Sequence, residues 1–310
     1  MIVFVAFLLF LGYGFDRFYL GDGEFVFPLG TLTALGAGSV SALGSYYSGD
    51  RAVLLSTGAV PLDRALSAEA TEDDTFKIRQ LDNVVEEMSI AAGLPKPKVY
   101  VVPDPDPNAF ATGRDPEHAS IAVTRGLLDA VSRDELQAVV AHELSHVRNL
   151  DIRLMTVIAA MVGTMALLSD WTSRGLRHGA SSGSSRRGRS KGKDDGAAII
   201  LLVIWVIAIL IAPVVGQMLA MMVSRRREYL ADASGAELTR NPLALARALE
   251  KIEQAHAPTT SVKRGTAHLC IADPLGRAIG LRHGWMPNLL ASHPPMADRI
   301  TALRQMGFQA

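Results

Sequence analysis

Four apolar stretches constrain this chain more than any other feature of its sequence. They cover residues 1–15, 25–48, 154–169 and 197–223. The second has no charged residue over 24 positions and the fourth has none over 27, so each is long enough for a helix that crosses a bilayer core of about 30 Å. The third stretch alone fits a buried core helix equally well. We expect four transmembrane helices, the first of them a short anchor that is not removed.

The overall composition agrees with a membrane protein that has a sizeable soluble part. The 310 residues are 49% hydrophobic and 20% charged, whereas soluble domains contain about 25% charged residues. Lys and Arg together number 31, as do Asp and Glu, so the net charge is zero, which argues against a nucleic-acid binder. The single cysteine, Cys270, excludes an internal disulfide framework and a cysteine-based zinc cluster.

The soluble segments predict helices and short strands. Residues 132–149 form the best-defined helix, because Ser132 is followed three residues later by Glu135, the pattern of a capping box. Thr71 is a candidate N-cap for a second helix. The remaining predictions are strands at 99–102, 109–112 and 119–124, helices at 69–92, 242–255 and 296–306, and a flexible Gly-, Ser- and Arg-rich loop at 173–195.

The chemistry-bearing motif is His142-Glu143-Leu144-Ser145-His146, an HExxH sequence within the predicted helix 132–149. Residues four apart lie on one face of a helix, so both imidazoles can bind one metal ion. Glu143 lies beside the first ligand, where its carboxylate can take a proton from water that the metal activates. The alternative is a coincidental pattern of surface histidines.

A catalytic zinc ion needs a third protein ligand, and Glu228 in the sequence Glu-Tyr-Leu-Ala-Asp is the candidate. Asp232, one helical turn later, could accept a hydrogen bond from the free ring nitrogen of a liganding histidine. The alternative for Glu228 is a simple ion-pair partner for the arginines at 225–227. Because His146 and Glu228 are 82 residues apart with two apolar stretches between them, either both stretches cross the bilayer as a hairpin or neither does.

Taken together, these motifs resemble those of the HtpX-type membrane metalloproteases, which are relatives of the CAAX prenyl proteases. The resemblance rests on HELSH at 142–146, EYLAD at 228–232, Ser-His-Pro at 292–294 and Arg299. The sequence Asn-Ala-Phe-Ala-Thr-Gly at 108–113 also resembles the edge strand on which the family binds substrate. The likeness extends over nearly the whole chain, including the four apolar stretches.

For the metal site, the resemblance implies that His142, His146 and Glu228 bind one Zn²⁺ ion per chain and that Glu143 is the catalytic base. The geometry of HExxH and the established His₂Glu ligand set agree with this assignment. The implied reaction is hydrolysis of a peptide bond within a polypeptide.

Three further residues receive roles from the resemblance alone. Asn108 and His293 would bind substrate or stabilise the oxyanion, and Arg299 would support the site. An imidazole can act as an oxyanion donor and a strand edge can capture an extended peptide, so both roles are chemically reasonable. Without the family, His293 is better interpreted as a surface-loop histidine.

The implied fold is mainly helical with a small β-sheet, a zincin-like metalloprotease domain combined with four transmembrane helices. We divide the chain into two N-terminal spans (1–48), a first catalytic part with the HExxH helix (49–151), a transmembrane hairpin (152–223) and a second catalytic part with the third ligand (224–310). The resemblance implies a multi-pass protein of the cell membrane whose catalytic domain faces the cytoplasm. Its partners would be the lipid bilayer and misfolded or unassembled membrane proteins, with no nucleic acid.

Two other functions stay open at this point. One is a CAAX-type prenyl-peptide protease, which would require the same zinc chemistry. The other is a non-catalytic membrane scaffold or transporter subunit. The ionisable residues lie in soluble segments or at the ends of the apolar stretches, which argues against a transporter.

Overall fold

The computed structural model describes residues 9–10, 13, 16, 28–66, 71–156, 225–255, 270–271 and 294–309. The chain divides into two compact units. One consists of Met1–Ser45 with Met161–Gln217, and the other consists of Tyr46–Ala160 with Met218–Ala310. The second unit contains the sheet and all the site residues discussed below.

Helix α1 (Leu29–Ser56) covers most of the second apolar stretch and continues beyond it. In the first unit, the backbone N–H and the hydroxyl of Thr31 both donate to Asp16 Oδ2 at 2.7 Å. Within the described ranges, no helix combines the length and the apolar character that a membrane crossing needs. The stretch 197–223 and nearly all of 1–15 and 154–169 lie outside the described residues, so the four spans stay a prediction.

A small mixed sheet forms one side of the second unit. Its strands are β1 (Val60–Pro61), β2 (Lys98–Val102), β3 (Ala109–Thr112) and β4 (Ser120–Thr124), in the order β1-β2-β4-β3. β2 and β4 are parallel, and the other two pairings are antiparallel. The three predicted strands are confirmed. β1 was not predicted, because two residues carry too little alternation to be recognised.

The helices of this unit agree with most of the sequence-based boundaries. Thr71 and Ser132 each form a capping box, with Asp74 and Glu135 respectively. The helices are α2 (Leu62–Ala65), α3 (Glu72–Ala92), α4 (Arg125–Ala130), α5 (Arg133–Arg148), α6 (residues 225–239), α7 (Pro242–Gln254) and α8 (Met296–Gln309). The prediction of a mainly helical fold with a small sheet is therefore confirmed.

Helix α5 lies in the middle of this unit. It packs against α3, α7 and β3, and nearly every residue from 135 to 147 is buried. Leu136, Val140 and Leu144 have at most 2% of their surface exposed. A helix that is buried on all sides places its polar residues inside the protein. The HExxH histidines are therefore interior groups, and the alternative of surface histidines is wrong.

We expect Gly126→Ala to lower the free energy of unfolding by about 1–3 kcal/mol. A Cβ atom at Gly126 would lie 1.9 Å from the carbonyl oxygen of Pro105, so the backbone of one segment has to move. Chemical denaturation of the detergent-solubilised protein measures the change. Ala130→Ser, at the exposed end of the same helix, is the control. Equal stability of the two variants would contradict the packing argument.

Candidate metal centre

The three predicted ligands come together from two helices. α5 supplies His142 and His146 one turn apart, and α6 supplies Glu228. His142 Nε2 lies 3.7 Å from Glu228 Oε2, and His146 Nε2 lies 3.6 Å from Glu228 Oε1. One potential ligand atom from each residue lies within 4.8 Å of the others, and all three side chains are buried.

These distances fit a tetrahedral metal ion. Bonds of about 2.1 Å at a tetrahedral angle separate neighbouring ligand atoms by about 3.4 Å. His142 Nε2 is also buried without a hydrogen-bond partner among the described residues. Because buried polar atoms nearly always have a partner, a metal ion is the expected occupant of this position. The residues present therefore fit a metal site.

Behind the ligands, each histidine faces a carboxylate with its other ring nitrogen. His142 Nδ1 lies 3.0 Å from Asp232 Oδ1, and His146 Nδ1 lies 3.1 Å from Asp151 Oδ2. A carboxylate in this position holds the imidazole with Nε2 directed at the metal. The sequence analysis named Asp232 for such a contact but did not identify Asp151.

Arg299 binds the first of these carboxylates. It has no exposed surface, and it donates from Nε and Nη2 to the two oxygens of Asp232 at 2.8 and 2.7 Å. Its Nη1 donates to the Ile271 carbonyl at 2.9 Å and lies 3.3 Å from Glu228 Oε2. Burial alone would raise the pKa of Asp232, but the charge and hydrogen bonds of Arg299 outweigh it and lower that pKa to about 2. Asp232 therefore stays ionised.

The metal-free site also perturbs Glu143 and the histidines. Burial raises the pKa of Glu143 to about 7. Burial lowers the pKa of His142, which favours the neutral form that binds metal. Burial acts in the same direction on His146, but the Asp151 hydrogen bond and the Glu228 charge outweigh it and raise the pKa of His146 to about 9.

Charge balance supports a divalent cation. Among the described residues around the site, buried side chains with carboxylates outnumber those with guanidinium groups. The carboxylates are Glu143, Asp151, Glu228 and Asp232, and the guanidinium groups that contact them are those of Arg227 and Arg299. Buried charge is costly unless it is compensated, and a dication would compensate the excess of two negative charges.

The expected substrate edge is only partly available. Phe110 of β3 forms an antiparallel bridge with Cys270, and the Ile271 N–H donates to the Ala109 carbonyl at 2.9 Å. The prediction of an open strand edge is therefore wrong at Ala109, because an internal segment already pairs there. Cys270 is buried, as expected for a packed apolar residue.

The remaining substrate residues are not placed for direct contact by the described coordinates. Asn108 is 1% exposed, and its side-chain oxygen accepts the Ala109 N–H at 3.0 Å. His293 lies outside the described residues. Their roles toward substrate stay predictions.

Comparison with known proteins adds a family and a fold. A model of peptidase family M48 matches residues 76–307. The "Protease HtpX homolog" of Caldanaerobacter subterraneus subsp. tengcongensis is 45% identical over 262 residues, which cover 84% of this chain and 80% of the relative. That of Tropheryma whipplei (strain Twist) is 41% identical over 311 residues, covering 100% of this chain and 95% of the relative.

Among solved structures, S. mikatae Ste24p matches with a TM-score of 0.50 and 20% identity. The match covers 96% of this chain, and the chain spans 62% of the length of Ste24p. At this level of identity the likeness shows a shared fold.

We expect substitutions at Gly235 to weaken metal binding in proportion to side-chain size. A Cβ atom at Gly235 would lie 3.0 Å from the backbone nitrogen of His142, so added atoms push α6, with Glu228, away from α5. Gly235→Val is expected to weaken metal binding by about tenfold or more, since overpacking costs about 1–3 kcal/mol, and Gly235→Ala by less. Competition with a chromophoric chelator measures the dissociation constant.

The control for this series is Glu237→Val, an exposed position on the same helix. It should leave the dissociation constant unchanged. Equal metal affinity across Gly, Ala and Val at position 235 would show that the helix spacing does not set the ligand geometry.

Proposed function

Because the chain belongs to peptidase family M48, we propose that it is a membrane-integrated, zinc-dependent endopeptidase that cleaves misfolded or unassembled membrane proteins. The relatives confirm the resemblance inferred from the motifs. The observation that carries the proposal is the convergence of His142, His146 and Glu228, with a buried His142 Nε2 atom aimed into the space between them. This arrangement is suited to catalysis because a tetrahedral ion with three protein ligands keeps one position open.

Zinc is the proposed ion because two imidazoles and one carboxylate form an established catalytic zinc set. When bound, it would supply a Lewis acid that polarises the scissile carbonyl and makes water more acidic.

Glu143 is the proposed general base. It follows His142 directly on α5, is 1% exposed and accepts a hydrogen bond from the Ala111 N–H on β3. Its carboxylate would take the proton from the attacking water and deliver it to the leaving amine. The buried site excludes competing solvent, and the Ala111 contact holds the carboxylate beside the strand on which the family binds substrate.

The remaining site residues keep the ligands in place. Asp232 and Asp151 would orient the two imidazoles by accepting hydrogen bonds from Nδ1. Arg299 would keep Asp232 ionised and lies close to Glu228. None of these three groups needs to contact the substrate for this role.

A membrane location is proposed from the apolar stretches and the names of the relatives. Asp151 precedes residues 157–224 and contacts Arg227, which follows them. The chain therefore leaves and returns to the same place, which supports an even number of crossings between the two points. Under this proposal the catalytic unit faces the cytoplasm at the membrane surface, within reach of membrane-protein substrates.

We expect Glu143→Gln to abolish peptide cleavage and to retain zinc, because an amide cannot accept a proton but the ligands are unchanged. Casein cleavage by the full-length protein in detergent measures activity, and elemental analysis measures the zinc content. Glu253→Gln, an exposed change on α7, should be fully active. Wild-type turnover by the Glu143→Gln variant would remove Glu143 from the mechanism, and an absence of cleavage by any form would favour the scaffold function.

A second prediction concerns the substrate. Unmodified, unfolded polypeptide should be cleaved in preference to a prenylated CAAX peptide, as expected for the HtpX-type branch. The two substrates should be compared by kcat/KM in the same detergent, with a chelator control for each. A reversed preference would favour the prenyl-peptide protease.

A further inference from the structure

Asp151 uses both oxygens of a buried carboxylate. Oδ2 lies 3.1 Å from His146 Nδ1, and Oδ1 accepts from Arg227 Nη1. The side chain of Asp151 is 4% exposed and that of His146 is 6% exposed. Arg227 directly precedes the proposed ligand Glu228. One carboxylate thus contacts one metal ligand and the residue adjacent to another.

We propose that Asp151 is a positioning residue that couples the two helices of the metal site: it orients His146 through one oxygen and, through Arg227, holds the part of α6 that carries Glu228 with the other. The inference rests on the zinc site of the proposed function. None of the motifs identified in the sequence contains Asp151.

The contact to His146 has a defined chemical effect. A neutral imidazole carries one N–H, and an acceptor at Nδ1 places that proton there and leaves the Nε2 lone pair free for the metal. The carboxylate also fixes the ring plane, so Nε2 stays 3.6 Å from Glu228 Oε1 in the geometry that an ion requires.

The contact to Arg227 solves the cost of burying Asp151. A buried carboxylate is unfavourable unless a cation compensates it, and Arg227 supplies that cation. Because Arg227 and Glu228 are neighbours in one helix, an Arg227 side chain held by Asp151 restricts the movement of Glu228 relative to α5.

The backbone between α5 and Asp151 is shaped to allow both contacts. Asp151 follows His146 by five residues, which in a continuous helix would direct it away from the His146 face. Leu150 adopts a left-handed conformation with φ of 59°, uncommon for a leucine, and this reversal returns the chain toward His146.

The arrangement repeats the one at the other histidine. His142 faces Asp232, which Arg299 binds, just as His146 faces Asp151, which Arg227 binds. The two differ in solvent access, since the Arg299 side chain is fully buried and that of Arg227 is 35% exposed. Loss of Arg227 should therefore be partly compensated by water, whereas loss of Asp151 should not.

The test measures metal affinity in full-length, detergent-solubilised protein. Asp151→Ala should raise the zinc dissociation constant by about 10- to 100-fold in competition with a chromophoric chelator. Asp151→Asn should raise it less, because an amide oxygen still accepts the Nδ1 proton. Arg227→Met should also raise it by less than Asp151→Ala. The double variant Asp151→Ala/Arg227→Met should be no weaker than Asp151→Ala, because both changes break the same linkage.

Two matched controls come from the opposite end of α5. Glu135 is a buried carboxylate, 4% exposed, that pairs with the partly exposed Lys251 at 2.6 Å. Glu135→Gln and Lys251→Met therefore disturb the same kind of ion pair away from the metal. Both should leave the zinc dissociation constant unchanged, whatever they do to thermal stability.

Substitution of Co²⁺ supplies a readout that general destabilisation would not change. The visible absorption bands of bound Co²⁺ should shift in Asp151→Ala and Arg227→Met, and they should match the wild type in the two controls. If Asp151→Ala does not fold, Asp151→Asn and Arg227→Met decide the question.

Glu228→Ala separates failure of this inference from failure of the proposed function. If Glu228→Ala loses zinc while the Asp151 and Arg227 variants bind it like the wild type, the coupling role of Asp151 is overturned and the zinc site stands. If Glu228→Ala also binds zinc like the wild type, the proposed ligand set is wrong and this inference falls with it.

Discussion

Arg299 carries a positive charge in a position where its side chain has no exposure to solvent. Moving such a charge out of water is costly, and only close carboxylates make it tolerable. Asp232 provides a bidentate contact and Glu228 lies 3.3 Å away. Because these partners belong to α6 and Arg299 to α8, the two helices have to pack together for either set of charges to be buried. The Ile271 carbonyl adds a third segment to the same guanidinium group. The metal centre and the interior of this unit are thus held by one set of interactions.

The burial of α5 has a related effect on the ligands. A site on a packed helix has less freedom than a site on a loop, because its side chains are confined by neighbours on every face. His142 and His146 take their spacing from the helix, and Gly235 lets α6 approach the backbone of His142. The position of Glu228 is then set by helix packing at one point and by ion pairs on either side of it. The two histidines and the carboxylate can therefore lie close together even though 82 residues separate His146 from Glu228.

Much of this arrangement was accessible from the sequence because it depends on local patterns. The capping box at Ser132 and the HExxH spacing define α5 and its metal-facing side. Glu228 needed the additional order of motifs along the chain. Asp151 was missed because its contact with His146 depends on a left-handed Leu150, which no helical periodicity encodes. The bridge between Phe110 and Cys270 was also missed, since pairing between segments 160 residues apart leaves no local signal.

The site is assembled from segments that are far apart in the order of synthesis. A ribosome makes the HExxH helix first, Glu228 much later and Arg299 later still. A growing chain that ends before residue 228 has two histidines and a base but no carboxylate ligand. One that ends before residue 299 lacks the guanidinium group that pairs with the buried Asp232. The enzyme consequently cannot complete its catalytic centre while most of it is still being translated, so an unfinished copy poses little hazard to the nascent proteins around it.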